Sequence, residues 1–123
     1  MANEITLASG LTASKGGLNV SPATTSKTLD MSGSNMNDGS TAAVTASWTA
    51  IEMGSLTTGA DYWAHLYNLD GNNFATVSLN ASTTHGVIPP GAFWGPCKIP
   101  SGVTVSVKAD TAALTIGTVV CAA

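Results

Sequence analysis

Side chains able to do acid–base, metal or nucleophile chemistry are few in this chain, and their spacing is wrong for it. His65, His85, Cys97 and Cys121 are its only histidines and cysteines. Zinc sites draw ligands from close pairs such as Cys-x-x-Cys or His-x-x-x-His, and no such pair is present. His65 falls mid-strand among aromatic residues and reads as a hydrogen-bonded structural imidazole. His85 lies among Ser and Thr ahead of a proline turn and reads as exposed. The seven acids, Glu4, Asp30, Asp38, Glu52, Asp61, Asp70 and Asp110, are dispersed, mostly in turn contexts where Asp bonds its own backbone. Glycoside hydrolysis needs two carboxylates facing each other across a cleft. A Gly-x-Ser-x-Gly elbow is absent, and Cys97 follows Pro96 with only Lys98 to make its surroundings positive. Residues 30–38 alternate oxygen-bearing side chains. They fail the helix–loop–helix calcium pattern, because Asn35 takes the Gly place and Thr41 the Glu place. Asn68, Asp70, Asn72 and Asn73 gather oxygens around what reads as a plain turn. The expectation is a protein with no catalytic residue, no metal ligand and no cofactor.

Composition points the same way. Charged residues make up 9% of the 123, there is no Arg, and the net charge is −3. Lys15, Lys27, Lys98 and Lys108 are scattered singly, whereas nucleic acids and anionic membranes select clustered basic residues. No apolar run approaches the roughly 20 residues of a membrane span. Residues 1–5 lack the basic and then apolar opening of a signal peptide, so a cytoplasmic origin is expected, with Cys97 and Cys121 as reduced thiols. A bridge between them would need their strands to lie close together. Folded domains carry about a quarter charged residues. A surface this poor in charge is expected to be covered in the working state.

Hydrophobic content of 44% suits one folded domain, and the patterning is that of strands. Residues 3–9 alternate, residues 11–20 form a weaker extended stretch broken by Gly16-Gly17, and Leu29 sits among polar neighbours in 27–31. Residues 31–41, rich in Ser, Gly, Asn and Asp, read as a loop. Alternation resumes over 43–53. The strongest candidate for a central strand is 61–69, with Tyr62, Ala64, Leu66 and Asn68 on one face and Trp63, His65, Tyr67 and Leu69 on the other. Asp70-Gly71-Asn72-Asn73 then reads as a hairpin turn into 74–79. Pro89-Pro90-Gly91 marks a stop and turn. Pro96 breaks 93–99 and argues for an edge strand or a bulge. Val103, Val105 and Val107 form the cleanest alternation, and 114–121 closes the pattern. No helical periodicity appears. The fold expected is all-β: one β-sandwich domain over 1–123, jelly-roll-like, with about eight short antiparallel strands. Its N-terminal tract, 1–27, is read as an extended arm. Strand order, and with it the choice between a jelly roll and an immunoglobulin-like sandwich, stays open.

The aromatic residues remain. Core packing is expected for Trp63 and Phe74. Phe93 and Trp94, beside the Pro90 turn, form the favoured contact patch, since buried aromatics anchor interfaces. Leu11 and Leu18 of the N-terminal tract complete the candidate interface.

Several stretches together resemble a family. They are Met1-Ala2-Asn3-Glu4-Ile5 with Leu11-Thr12-Ala13-Ser14-Lys15-Gly16, and the central Tyr67-Asn68-Leu69-Asp70-Gly71-Asn72-Asn73-Phe74. The Pro90-Gly91 turn and Lys108-Ala109-Asp110-Thr111-Ala112-Ala113 complete the set. In order along the chain, they resemble small virion structural proteins of tailed bacteriophages. The chain departs from that texture at Phe93-Trp94-Gly95-Pro96-Cys97, where a more aliphatic strand would be usual. The resemblance implies a non-enzymatic capsid decoration or cement protein, made in the host cytoplasm and placed on the outer capsid surface. It implies the major capsid protein as partner and a homo-oligomer, trimer or dimer, and it carries over no catalytic residue. The competing expectations are a tail- or fibre-associated component and a lectin-like module, either of them binding host surface glycans.

Overall fold

The computed structural model of the chain describes residues 5–9, 13–20, 25–29 and 36–123, and contains strands and turns with no helix among them. Its contacts divide the chain into two units, Met1–Met31 and Ser32–Ala123. In the first unit, β1 (Ile5–Ser9) runs antiparallel to β4 (Thr25–Leu29), with Ile5 opposite Leu29. Between them β2 (Ala13–Lys15) and β3 (Leu18–Val20) form a hairpin over Gly16-Gly17. Both glycines have positive φ, +57° and +84°. A two-residue turn that matches strand twist requires this backbone, and only glycine adopts it freely.

The second unit is the β-sandwich. Its strands are β5 (Met36–Ala43), β6 (Thr49–Ala50), β7 (Tyr62–Asn68), β8 (Ala75–Ser78), β9 (Gly86–Ile88), β10 (Phe93–Ile99), β11 (Ser106–Ala109) and β12 (Leu114–Ala122). One sheet has the order β10-β7-β12-β5 and the other β6-β11-β8-β9, with every pair antiparallel. The first strand pairs with the last, β5 with β12. Then β6 pairs with β11, β7 with β10, and β8 with β9. This is one long doubled ribbon whose tip is residues 79–85, wound so that alternate pairs fall in opposite sheets. That winding is the jelly roll.

Apolar alternation explains which face turns inward. Tyr62, Ala64 and Leu66 of β7 and Leu114, Ile116 and Val120 of β12 meet Ala75, Val77, Ile88, Val107 and Ala109 of the other sheet, all of them buried. Val105, Ile51 and Leu56 close the core from the connections. The Tyr62 phenol donates to the carbonyl of Val103 at 2.8 Å. Asn68 is the polar member of the inward row and is fully buried. Its Nδ2 donates to the carbonyls of Asn73 (2.9 Å) and Ile88 (3.0 Å), and its Oδ1 accepts from the N–H of Asp70 (2.9 Å).

Four expectations from the sequence need correction. Of the loop expected over 31–41, residues 31–35 lie outside the described residues, and Met36–Ala43 is strand β5, paired residue by residue with β12. Its alternation is carried by polar side chains, with Thr41 and Ala43 inward and Asp38, Ser40 and Ala42 exposed. The strand expected over 43–53 shrinks to Thr49–Ala50, because β5 ends at Ala43 and the chain leaves for the other sheet. The turn at residues 70–73 closes no hairpin. It carries the chain from β7 in one sheet to β8 in the other. Its Asx geometry is satisfied within the loop, Asp70 Oδ1 accepting from the N–H of Asn72 and Asn73 at 2.7 and 2.8 Å, and so does not dictate strand pairing. Lastly, Trp63 and Phe74 lie outside the core: Trp63 is half-buried on the outward face of β7, and Phe74 is exposed. Pro96, by contrast, sits where its sequence context predicts, on an edge strand and at a bulge.

Two substitutions test the interior. Thr118, buried on β12 between Leu66 and Gly39, has a hydroxyl with no hydrogen-bond partner among the described residues. Thr118→Val keeps the shape and removes the unpaired group, so denaturant unfolding is expected to show a gain of about 1 kcal/mol. Asn68→Ala strips partners from three backbone groups at once and is expected to cost about 3 kcal/mol in the same assay.

Candidate functional site

A bulge decides which side chains the first sheet presents outward. Trp94 stands opposite Leu66 and Cys97 opposite Ala64, so Gly95 and Pro96 together face His65. Without the extra residue, Phe93 and Ile99 would share a face. With it, Phe93 (opposite Tyr67) and Lys98 (opposite Trp63) point outward, and Ile99 turns in to be buried. Gly95 makes the bulge possible. Its φ is +96°, and a Cβ there would lie 2.6 Å from the carbonyl oxygen of Ala64.

The outward face is largely apolar. Trp63, His65 and Tyr67 of β7 stand half-buried in a row, and Phe93 of β10 stacks beside them. The Phe93 ring centroid is 4.8 Å from that of Tyr67 and 5.3 Å from that of His65, with interplanar angles of 27° and 23°. Such offset stacks are worth about 0.5–1.5 kcal/mol each, enough to hold a ring that is itself 63% exposed. Val119 of β12 (48%), Met36 of β5 (64%) and Leu69 beyond β7 (56%) extend the exposed apolar surface. Charge is confined to the margins. Asp38 lies on β5, and Lys98 on β10 has Asp61 at 3.9 Å, both of that pair about half exposed. An ion pair so exposed contributes little.

The residues expected as an interface separate in space. Phe93 belongs to this face. Trp94 points to the other side of β10, half-buried against the core, and its Nε1 lies 2.8 Å from where a Cβ on Gly86 would sit. Its indole thus bridges the edge strands β10 and β9. Pro90 is exposed at the second position of a turn in which the Ala92 N–H donates to Pro89 and Gly91 has φ +70°. Gly91 and Ala92 also bond the backbone of Asn68 at 3.2 and 3.0 Å, fixing where the chain passes from β9 to β10. Leu11 lies outside the described residues. Leu18 lies in β3 of the other unit, opposite Lys15. The sequence reading missed Trp63, His65, Tyr67, Val119 and Met36 as members of a surface. The available signal was a strand, 61–69, apolar on both faces in a fold with only two layers.

The remaining polar side chains serve the fold. His65 stacks on Phe93, and its side chain makes no hydrogen bond among the described residues, which replaces the hydrogen-bonded role expected for it. His85 is exposed, and its Nδ1 accepts from the N–H of Leu79 at 3.1 Å. The Asp70 carboxyl is held below the usual carboxylate range by the two backbone N–H groups, Asn72 first, that donate to it. Lys108 Nζ stands 5.7 Å from the ring centroid of Trp48. Among the described residues no three His, Cys, Asp or Glu side chains converge in a way that could hold a metal ion. Cys97 and Cys121 are free thiols. Cys97 stands opposite Ala64 on the inward face and Cys121 opposite Trp63 on the outward face. Strand β7 and the thickness of the sheet therefore separate them, beyond disulfide reach. Burial pushes both thiols above their ordinary pKa.

Fold and surface together define a jelly-roll module whose distinguishing feature is an exposed aromatic face on its first sheet. Comparison with known protein families, with curated proteins and with solved structures finds no match to this chain.

The raised thiol pKa values carry a test. Less thiolate is present at pH 8 than in the unfolded chain, so alkylation of both cysteines by iodoacetamide is expected to be slower in the native protein. Two free thiols should titrate after denaturation without reductant.

Proposed function

We propose that the chain is a non-enzymatic virion structural protein, a capsid decoration or cement protein that binds the outer surface of a phage head. On this reading it bridges major capsid subunits and stabilises the shell. The observation that carries the reading is the apolar outer face of the first sheet, where stacked aromatic rings remain exposed on a chain with almost no charge. Isolated exposed apolar residues are ordinary on any protein, but a contiguous patch marks a surface that works covered. The jelly roll supplies a rigid support for such a face. The resemblance of the chain's short motifs to small phage virion proteins supplies the setting. A bridge burying roughly 1,200–2,000 Å² would suffice at each joint, and many copies on one shell would make detachment cooperative. The N-terminal unit is the second candidate contact, reaching a neighbouring subunit by strand addition.

One observation favours a second reading. Aromatic rings exposed on a sheet face also stack on sugar rings, so the same surface suits a glycan-binding module on a tail or fibre.

The test mixes purified protein with heads stripped of their minor proteins and counts bound copies by sedimentation and gel densitometry. Saturation at a fixed multiple of the major capsid protein is expected, with heads that then better survive heating or chelator. Deleting residues 2–20 is expected to weaken that binding, and unchanged binding would remove the arm from the proposal. Glycan retention lost on Trp63→Ala, without head binding, would move the chain to the second reading.

A further inference from the structure

The edges of the two sheets are guarded unequally. A bare strand edge offers unpaired N–H and C=O groups to any extended chain, and proteins blunt it with shortness, Pro, Lys or a bulge. β6 has two residues, and β9 has three and runs straight into Pro89-Pro90. β10 carries Pro96, a bulge and Lys98. β5 has none of these devices. It keeps register with β12 over eight residues without a shift, and it contains neither Pro nor Lys.

The neighbouring ladder shows which backbone groups of β5 are open. At the two ends of the β7–β12 pairing, the Leu69 N–H donates to the Thr115 carbonyl at 3.1 Å and the Ala123 N–H to the Asp61 carbonyl at 3.2 Å. Successive residues of a strand turn their backbone groups to opposite sides. Odd-numbered residues of β12 therefore bond β7, while Ile116, Thr118 and Val120 bond Thr41, Gly39 and Asn37 of β5. The N–H and C=O groups of Asp38, Ser40 and Ala42 point the other way. They have no hydrogen-bond partner among the described residues.

This edge is also acidic on both faces. Asp38 is exposed on the outward side. On the inward side the Glu52 N–H donates to Thr41 Oγ1 at 2.7 Å, and Glu52 Cγ lies 3.6 Å from where a Cβ on Gly39 would sit. One Glu52 carboxylate oxygen accepts from the Gly54 N–H at 2.9 Å, and the residue is exposed. Of the sandwich's two lysines, Lys98 is on the far edge of the same sheet and Lys108 is in the other sheet.

We infer that β5 receives an extended segment of another protein as a fifth strand of the first sheet, and that this segment carries two adjacent basic residues. Backbone bonds supply the affinity of such an addition, and side chains supply its choice. Neighbouring residues of a strand point to opposite faces. The residue placed beside Asp38 thus shares its face, and the next, beside Gly39, lies on the side of Glu52. Opposite charge there selects the partner more than it adds affinity. On the proposed function the segment belongs to the major capsid protein. That identity rests on the proposed function, whereas the open edge and its charge do not. The added strand lies beside the aromatic face and leaves it uncovered.

The probe is a ten-residue peptide alternating Thr and Val around a central Lys-Lys pair, with a Glu-Glu version as control. Fluorescence anisotropy with the full chain is expected to give a dissociation constant on the order of 100 µM for the first and none measurable for the second. Amide exchange at Asp38, Ser40 and Ala42, fast in the free protein, should slow when the Lys-Lys peptide binds. Ser40→Pro removes one open N–H and leaves the β12 ladder intact, so it should weaken binding about tenfold, with thermal unfolding to check the fold. Asp38→Lys and Glu52→Lys should each shift preference toward the Glu-Glu peptide, which a folding defect would not do. Absent binding, binding indifferent to these variants, or exchange at Asp38, Ser40 and Ala42 already slow in the free chain overturns the inference. Heads decorated equally well by the Ser40→Pro and Asp38→Lys chains overturn it too and leave the proposed function standing. Peptide captured at β5 by a chain that binds no heads leaves the edge and removes the function.

Discussion

Asn68 holds together the end of the sandwich where the chain changes sheets. Its side chain bonds the loop that leaves β7 and the last residue of β9, and its backbone bonds the turn that starts β10. One amide thus fixes two crossings between layers. A buried amide left partly unpaired would be costly, and one fully paired admits a single arrangement of its neighbours. An apolar residue there could fill the space but could not specify which loop lies against which. The path of β10, and with it the position of Phe93, depends on this anchoring.

From that anchor the surface follows in steps. The turn at residues 89–92 delivers the chain to the edge of the first sheet, and the bulge at Gly95-Pro96 reverses its facing midway. Phe93 therefore joins the row of β7 while Ile99 enters the core, and Trp94 closes the gap toward β9. Three positions of this one strand do three different jobs because of one inserted residue. The aromatic ridge is thus a product of backbone irregularity as much as of composition.

Where side chains alternate strongly, the sequence was readable. The two faces of residues 61–69 and the irregularity at Pro96 both follow from local rules. β5 was hidden because backbone pairing with β12, distant in sequence, makes it a strand, while its own residues are those of a loop. The 70–73 turn was misread for a related reason. Its Asx bonds state that the chain turns but not which partner the next strand will take. Trp63 reads as core because hydrophobicity alone cannot separate an interior face from an apolar outward one. Strand order was out of reach, since first-to-last pairing leaves no local trace.

The pairing of β5 with β12 also constrains how the protein is made. β12 lies between β5 and β7 and is synthesised after every other strand of the sandwich. Until it emerges from the ribosome, β5 has no strand beside it and β7 has only β10. The first sheet, with its aromatic face, therefore assembles in one late and long-range step, the kind that folds slowly and exposes unpaired strand edges meanwhile. The scarcity of apolar side chains on β5, which waits longest, keeps that unpaired edge from being sticky during translation.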